Sequence, residues 1–398
     1  MRRGSAVNLA ARRRARSAVG GEPGAKGLLV LAGRKESGAD SNRRCGRRHR
    51  RVLPNGKRLR KPGNMQTQPG LVDVARRAKV STSTVSRTIN QTGKISGATQ
   101  EHVRQVMREM GYKPNRVARR LRASGGKCNL IGLIIPNIQN PFFADLARGV
   151  EDVAYQNNFA VLLCNYDEDF KKQQFYLDVM QAESVDGMIL SPLHESDQAI
   201  LRIVSNGFSV VCVDRSLVGA AIDKVVVDNQ RGAFEAVSHL LEKGHRRIGI
   251  ISGPIDSSTG RERLAGYKAA LAQAGVASEP QLIVHGDYRE ESGRRLTDAL
   301  LSRRPPPTAL FIANNLMLIG AIETIAAKSL RIPKDIALVG FDDLPLAAVF
   351  TPPLTVVRQP AYEVGRAAAE LLLKRIEEPQ RATVSIQLLP ELVIRKSC

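Results

Sequence analysis

From Asn129 to the C terminus, short apolar runs alternate with amphipathic stretches of helical period, and this alternation restricts the fold more than any other feature of the chain. The runs Leu130–Ile135, Phe159–Cys164, Gly187–Leu190, Val210–Val213, Ile248–Ile251, Leu282–Val284, Ala309–Ala313 and Ala337–Val339 read as buried strands. Helical spacing intervenes at 143–156, 173–181, 232–242, 263–274, 292–301, 316–327 and 361–376. Strands that are apolar along their whole length and alternate with helices belong to parallel sheets covered on both faces. So many strands in this length fit two smaller sheets better than one. The expected body is therefore α/β and two-lobed, with a cleft between the lobes of the kind that takes small ligands.

Charge is distributed unevenly. The 398 residues carry a formal +22, yet residues 1–65 hold 19 Lys and Arg against 3 Asp and Glu, out of 60 and 38 in the whole chain. The remainder is nearly balanced, so the global charge alone does not argue for a polyanionic partner. Residues 1–65 repeat Arg, Gly, Ala and Ser with little periodicity, as in Arg12–Arg16 and Arg43–Arg51. They read as a disordered basic extension, since they bury too little apolar surface to offset chain ordering. Such a segment is either an arm on DNA phosphates or the product of a start placed too far upstream. The second fits better, because Met65 lies just before the first patterned residues. The run Gly27–Gly33 is short for the ~7–15-residue apolar core of a secretory signal, and no run reaches the ~20 residues that span a bilayer. Five cysteines, Cys45, Cys128, Cys164, Cys212 and Cys398, are odd in number and contain no C-x-x-C pair, which fits a reducing cytoplasm. Cys164 and Cys212 sit within apolar runs and read as small buried hydrophobes.

The first patterned stretch is Leu71–Asn90, where Leu71, Val74, Ala75 and Ala78 recur at helical spacing, followed by Val85 and Ile89. Two short helices follow, joined at Lys79–Ser81, with Ser81 placed to cap the second. A third runs from about Ser96 to Met110, with Gly111 as its stop. The second helix carries Thr82, Ser83, Thr84, Ser86 and Arg87 on its polar face. Small hydroxyl residues can approach base edges or phosphates, and Arg can make a bidentate contact to guanine, so the face suits a major groove.

Helical periodicity alone leaves any small bundle open. The residues Asp73–Ala75, Ala78, Val80–Ser81, Thr84–Arg87 and Asn90 match the pattern D-V-A-x-x-A-G-V-S-x-x-T-V-S-R-x-x-N, and here the chain resembles the lactose-repressor and galactose-repressor family of bacterial transcriptional regulators. Lys79 departs from it, standing where the family usually has Gly. After Tyr112, Lys113–Arg122 is similar to the family's hinge, which becomes helical on operator DNA. The resemblance implies that Leu121 is the wedge inserted in the minor groove, with Asn115, Arg119 and Arg122 near the backbone. A helix this short does not persist alone in water. The alternative is a basic linker whose Leu121 packs on the next domain.

The resemblance continues through Ile135–Phe143, Asp186–Leu190, Val225–Asn229, Gly244–Gly249, Arg263–Gly266, Val339–Asp343 and Thr355–Gln359. It implies a body like that of periplasmic sugar-binding proteins, crossed three times near 226–229, at Gln359 and before the last strand. By position, the effector contacts fall on Phe142, Phe143, Asp228, Thr259, Arg263, Asn314, Asp342 and Gln359. Aromatic rings can cover the apolar face of a ring-shaped ligand, while Asp, Asn and Arg pair with hydroxyls or a carboxylate. Structural alternatives stand beside these roles: Phe142 and Phe143 as core, Arg263 as an ion pair, Asp228 and Asp342 as loop caps. Asn315 stands where many relatives have Asp, and Ser257 where purine-responsive members have Arg, which points away from a purine.

A transport binding protein would share the body but has no use for Leu71–Asn90. An α/β enzyme would need a reactive constellation, and the chain has no G-x-S-x-G, no phosphate-binding loop, no G-x-G-x-x-G after a strand and no His-Cys metal spacing. The expectation is a cytoplasmic, non-enzymatic regulator without metal or cofactor. It comprises a basic extension (1–65), a helix-turn-helix head (66–113), a hinge (114–126) and a two-lobed effector and dimerisation domain (127–398). Its partners would be a pseudo-palindromic DNA operator, a sugar or sugar acid, and a second copy of itself, with no membrane.

Overall fold

The computed structural model describes residues 69–90, 92–112 and 128–398. The basic extension, the hinge with Asn115, Arg119, Leu121 and Arg122, and the side chain of Asn90 lie outside the described residues.

In the head, α1 (Leu71–Ala78), α2 (Thr82–Asn90) and α3 (Gly97–Glu109) bury Val74, Ala75, Ala78, Val85, Val103 and Val106 against one another. Each start has a local cause. The Gly70 N–H donates to the Asp73 carboxylate at 2.9 Å, Ser81 Oγ accepts the Thr84 N–H at 3.1 Å, and Ser96 Oγ accepts the Thr99 N–H at 3.3 Å. The α1–α2 turn needs a left-handed residue, and Lys79 takes that conformation with φ 54° and ψ 39°. A side chain there costs about 1–2 kcal/mol relative to Gly. The Val80 N–H still reaches the Ala75 carbonyl at 3.1 Å, so the turn closes as the resembled pattern requires.

The body is two parallel sheets. The first lobe holds β1 (Leu130–Ile135), α4 (Pro141–Gln156), β2 (Ala160–Asn165), α5 (Phe170–Ala182), β3 (Gly187–Leu190), α6 (Gln198–Ser205), β4 (Val210–Val213) and β5 (Asp223–Val227). The second holds α7 (Asn229–Glu242), β6 (Ile248–Ser252), α8 (Ser258–Gln273), β7 (Ile283–His285), α9 (Glu290–Leu301), β8 (Ala309–Ile312), α10 (Asn315–Ala327), β9 (Ala337–Phe341) and β10 (Thr355–Arg358). The chain then returns to the first lobe as α11 (Ala361–Glu377) and β11 (Ser385–Leu388), and ends in the second as β12 (Glu391–Val393). The sheet orders are β11-β5-β4-β3-β1-β2 and β12-β10-β9-β8-β6-β7, with β12 antiparallel to its neighbour. Both faces of each sheet are covered, by α4 with α11 and α5 with α6 in the first lobe, and by α7 with α8 and α9 with α10 in the second. The three crossings fall at 227–229, 358–361 and 388–391, where the sequence places them.

Several elements differ from the sequence reading. The expected strand 282–284 begins as a 3-10 turn over Pro280–Leu282, and pairing starts only at Ile283. Helix α6 and strands β5, β10 and β11 have no counterpart among the expected elements. The helix spans only two turns, and β11 is an edge strand with exposed residues alternating along it, so neither presents a continuous apolar run.

Glycines set how closely the helices pair. A Cβ on Gly149 of α4 would lie 2.2 Å from the Tyr362 carbonyl oxygen, and one on Gly365 of α11 would lie 2.0 Å from that of Leu146. Gly266 of α8 meets the Gln230 carbonyl of α7 in the same way, and Gly293 and Gly320 do so between α9 and α10. These backbone contacts fix α4, α8 and α10, whose N-terminal ends carry residues of the inter-lobe cleft. No helix among the described residues is long and apolar enough to cross a membrane.

Candidate functional site

Parallel strands of both lobes end at one crevice, the position where such sheets bind ligands. It forms a cavity of about 1010 Å³. From the first lobe come Asn137, Asn140, Phe142 and Phe143 after β1, Asp167 and Glu168 after β2, and Asp214 and Arg215 after β4. The second lobe supplies Thr259 and Arg263 on α8, Tyr288, Arg289 and Glu290 around the start of α9, Asn314 before α10, and Asp342 after β9. Gln359 lies on the crossing from β10 to α11.

Arg263 is held on several sides. Its Nε donates to Asn229 Oδ1 at 2.8 Å and its Nη1 to the Ala313 carbonyl at 2.6 Å, while the guanidinium stacks 3.8 Å from the centroid of the Phe341 ring. Asp342 Oδ2 lies 3.7 Å from Nη1, and Asp342 Oδ1 accepts from the Gln359 amide. Asp342 adopts φ 70° at the strand end, which turns its carboxyl into the crevice. Burial pushes that carboxyl above the usual carboxylate range, against the pull of Arg263 and Gln359.

Across the cleft, Arg215 makes a bidentate pair with Glu168, at 2.9 and 2.5 Å, and lies 5.5 Å from the Tyr288 ring of the other lobe. Asp214 beside it is pushed up to about 6 by burial, with Arg215 and Arg263 opposing the shift and Asp342 adding to it. A buried donor, Arg215 Nε, and a buried acceptor, Gln359 Oε1, have no hydrogen-bond partner among the described residues. Phe142 and Phe143 meet edge to face, 5.0 Å between centroids at 82°, and belong to the first lobe's core while also lining the cleft. Asn314 caps α10 by accepting the Met317 N–H at 2.8 Å. Its neighbour Asn315 donates across the lobes to Asn140 Oδ1 at 2.9 Å.

Asp214 gives a pH-dependent expectation. An acid whose folded pKa is raised to about 6 from an ordinary 3.8 destabilises the fold when ionised, so its cost is present above pH 6 and fades as pH falls toward the unfolded value. Asp214→Asn should therefore melt higher than the parent at about pH 8, by up to about 3 kcal/mol, and the gap should shrink as pH falls through 6 toward 4. Asn tolerates the φ of 64° at this position. A gap that is constant with pH would contradict the assignment.

Of the residues expected from sequence, Phe142, Phe143, Thr259, Arg263, Asn314, Asp342 and Gln359 line the cavity. Asp228 does not: β5 ends at Val227, and the Asp228 carboxylate accepts the Arg231 N–H at 3.0 Å as the cap of α7. The inward role falls to Asn229, which is buried and holds Arg263. Sequence reasoning also missed Asp214, Arg215 and Glu168. The available signal was the Asp-Arg pair directly after the apolar run Val210–Val213, at a strand's carboxyl end.

In the head, Thr82, Ser83 and Arg87 are exposed on α2, and Thr84 and Ser86 are half-buried. Ser81 Oγ lies 2.7 Å from Ser83 Oγ and 2.9 Å from Thr84 Oγ1, so cap and polar face form one hydroxyl cluster.

The model of bacterial regulatory proteins of the lacI family matches residues 70–115, and that of the periplasmic binding protein-like domain matches 237–398. The HTH-type transcriptional repressor PurR of Aliivibrio salmonicida (strain LFI1238) is 36% identical over 329 residues, 82% of this chain and 97% of that protein. Among solved structures, a complex of the transcriptional regulator CelR with cellobiose is 34% identical, covers 83% of this chain and 100% of its own, and superposes with a TM-score of 0.64. The lac repressor dimer bound to operator and the anti-inducer ONPF is 28% identical, covers 83% and 99%, and has a TM-score of 0.74.

Proposed function

The chain belongs to the lacI family of bacterial regulatory proteins, and from that premise we propose that it is a cytoplasmic homodimeric repressor of a pseudo-palindromic operator, controlled by a neutral sugar held between its lobes. The observation that carries the effector reading is the cleft's polar inventory. It leaves one buried acceptor, Gln359 Oε1, without a hydrogen bond, and one buried donor, Arg215 Nε, whose nearest acceptor is Asp214 Oδ2 at 3.6 Å, beyond hydrogen-bond distance. A hydroxyl group both donates and accepts, so a polyol can satisfy the two with one kind of group. Charge narrows the class. Asp167, Glu168, Asp214, Glu290 and Asp342 outnumber Arg215, Arg263 and Arg289 along the cavity, which opposes a sugar acid or a phosphate.

On the DNA side, α2 presents Thr82, Ser83 and Arg87 to solvent on a helix of nine residues, a size that enters the major groove. Thr84 and Ser86 complete that face, Asn90 joins them as a DNA contact, and Leu121 acts as the minor-groove wedge with Asn115, Arg119 and Arg122 on the phosphates. Two heads read two half-sites, as two-fold symmetry requires. Effector binding changes the angle between lobes and with it the spacing of the two hinges.

Selection of bound duplexes from a random pool tests this reading. The full chain should enrich a palindrome of two half-sites. Arg87→Ala should weaken it by about 10–100-fold and relax one position per half-site. Failure to enrich any sequence would remove the repressor reading, and an identical palindrome at identical strength from the variant would remove Arg87 from the base contacts.

A further inference from the structure

Beside the effector cavity, the rims of the two lobes meet in a patch that does not line it. Glu195, in the loop after β3, pairs with Arg261 of α8. His194 Nδ1 lies 3.3 Å from Asp256 Oδ2, and the Ser216 N–H donates to Ser258 Oγ at 3.1 Å. The Val218 N–H donates to the Glu195 carbonyl at 2.7 Å, which ties the two first-lobe loops together behind the pair. On the second lobe, Arg261 also donates to the Ile255 carbonyl at 3.2 Å. Each side of the contact is thus braced within its own lobe, and the ion pair spans the gap.

Arg261 sits on the first turns of α8, between Thr259 and Arg263, both of which line the cavity. Along a helix, neighbours one or two apart point to different faces. Thr259 and Arg263 can therefore face the effector while Arg261 reaches the opposite rim. We propose that Glu195 and Arg261 are positioning residues: their ion pair draws the first turns of α8 against the first lobe, and so sets the closure equilibrium that presents Thr259 and Arg263 to the effector. The proposal rests on the cleft being the effector site, but its test measures lobe separation with no ligand, so either can fail alone.

The pair is partly exposed, with side-chain exposures of 46% for Arg261 and 21% for Glu195. A pair of that kind shifts an equilibrium by about two- to fivefold rather than by orders of magnitude. The experiment places bioorthogonal spin labels at the exposed Val218 of the first lobe and Gln273 of the second, in the full chain, and records the distance distribution. Glu195→Gln and Arg261→Ala should each move weight from the short to the long distance by that factor, and more weakly at high salt. The charge swap Glu195→Arg with Arg261→Glu should return the distribution toward the parent. Glu195→Gln is close to isosteric, so it carries the test even if Arg261→Ala folds poorly. Single variants that match the parent would overturn the proposal. So would singles that open the lobes with no recovery in the swap, because the effect would then not belong to the pair.

Discussion

Arg263→Lys should weaken the effector's apparent affinity by on the order of 100-fold while leaving operator affinity within about threefold. The charge survives this change; the geometry does not. The guanidinium holds Asn229 and the Ala313 carbonyl, faces Asp342 and lies over the Phe341 ring, all at once. A lysine ammonium is a point donor without the planar fork, so it cannot keep two divergent hydrogen bonds and a stacked face together. Asp342 would then sit buried with its Gln359 contact but with its cation displaced, and burial already raises its pKa. The cost falls on the effector, whose hydroxyls need both groups in place. The measurement is operator binding by fluorescence anisotropy under titration with neutral sugars. A variant that responds at the parent's concentrations would place Arg263 outside the effector's reach.

Gly365→Ala should destabilise the first lobe by about 2 kcal/mol or more, a result opposite in sign to what helix propensity gives. In an open helix, Ala is favoured over Gly by about 1 kcal/mol. At position 365 the added methyl would lie 2.0 Å from the Leu146 carbonyl oxygen and 2.8 Å from its carbon, both backbone atoms of the facing helix. Neither can rotate away, so α4 and α11 must separate, and overpacking of this kind costs about 1–3 kcal/mol and occasionally more. Gly149 meets α11 from the other side with its own close approach, so the strain cannot be passed along the same interface. The expected readout is a melting temperature lowered by several degrees, at roughly 2–4 °C per kcal/mol for a unit of this size. Gly97→Ala is the internal comparison, since a Cβ there meets nothing within 4 Å, and it should be neutral or stabilising. Equal behaviour of the two variants would mean that the glycine contacts do not set helix spacing.

Most of the architecture was legible because its strands are buried on both faces. Runs such as Leu130–Ile135 and Ile248–Ile251 are apolar from end to end and too short for a buried helix, which leaves a central strand of a covered sheet. Among what escaped, β11 alternates exposed and half-buried residues, α6 spans eight residues, and the interior strands β5 and β10 each carry charged residues at an end, so none shows an unbroken apolar run. In the site, the effector residues carried by the family pattern fell on the cleft except Asp228, where a shift of one position separates a helix cap from the buried Asn229 amide that holds Arg263. Asp214, Arg215 and Glu168 were not legible in the same way. Their importance comes from three loops converging after β2, β4 and β9, a long-range meeting that local periodicity does not encode. The left-handed φ values at Glu168, Asp214 and Asp342 mark where the backbone turns to make it.

The direct test of control by the cleft is thermodynamic linkage. The affinity of the full chain for a neutral sugar that alters its operator binding should be measured by calorimetry with and without saturating operator duplex. Reciprocity requires the operator to change sugar affinity by the same factor, on the order of tenfold or more, as the sugar changes operator affinity. Equal factors are the expected result. A sugar that binds the cleft with identical affinity in the presence and absence of operator would show that cleft and head are not coupled.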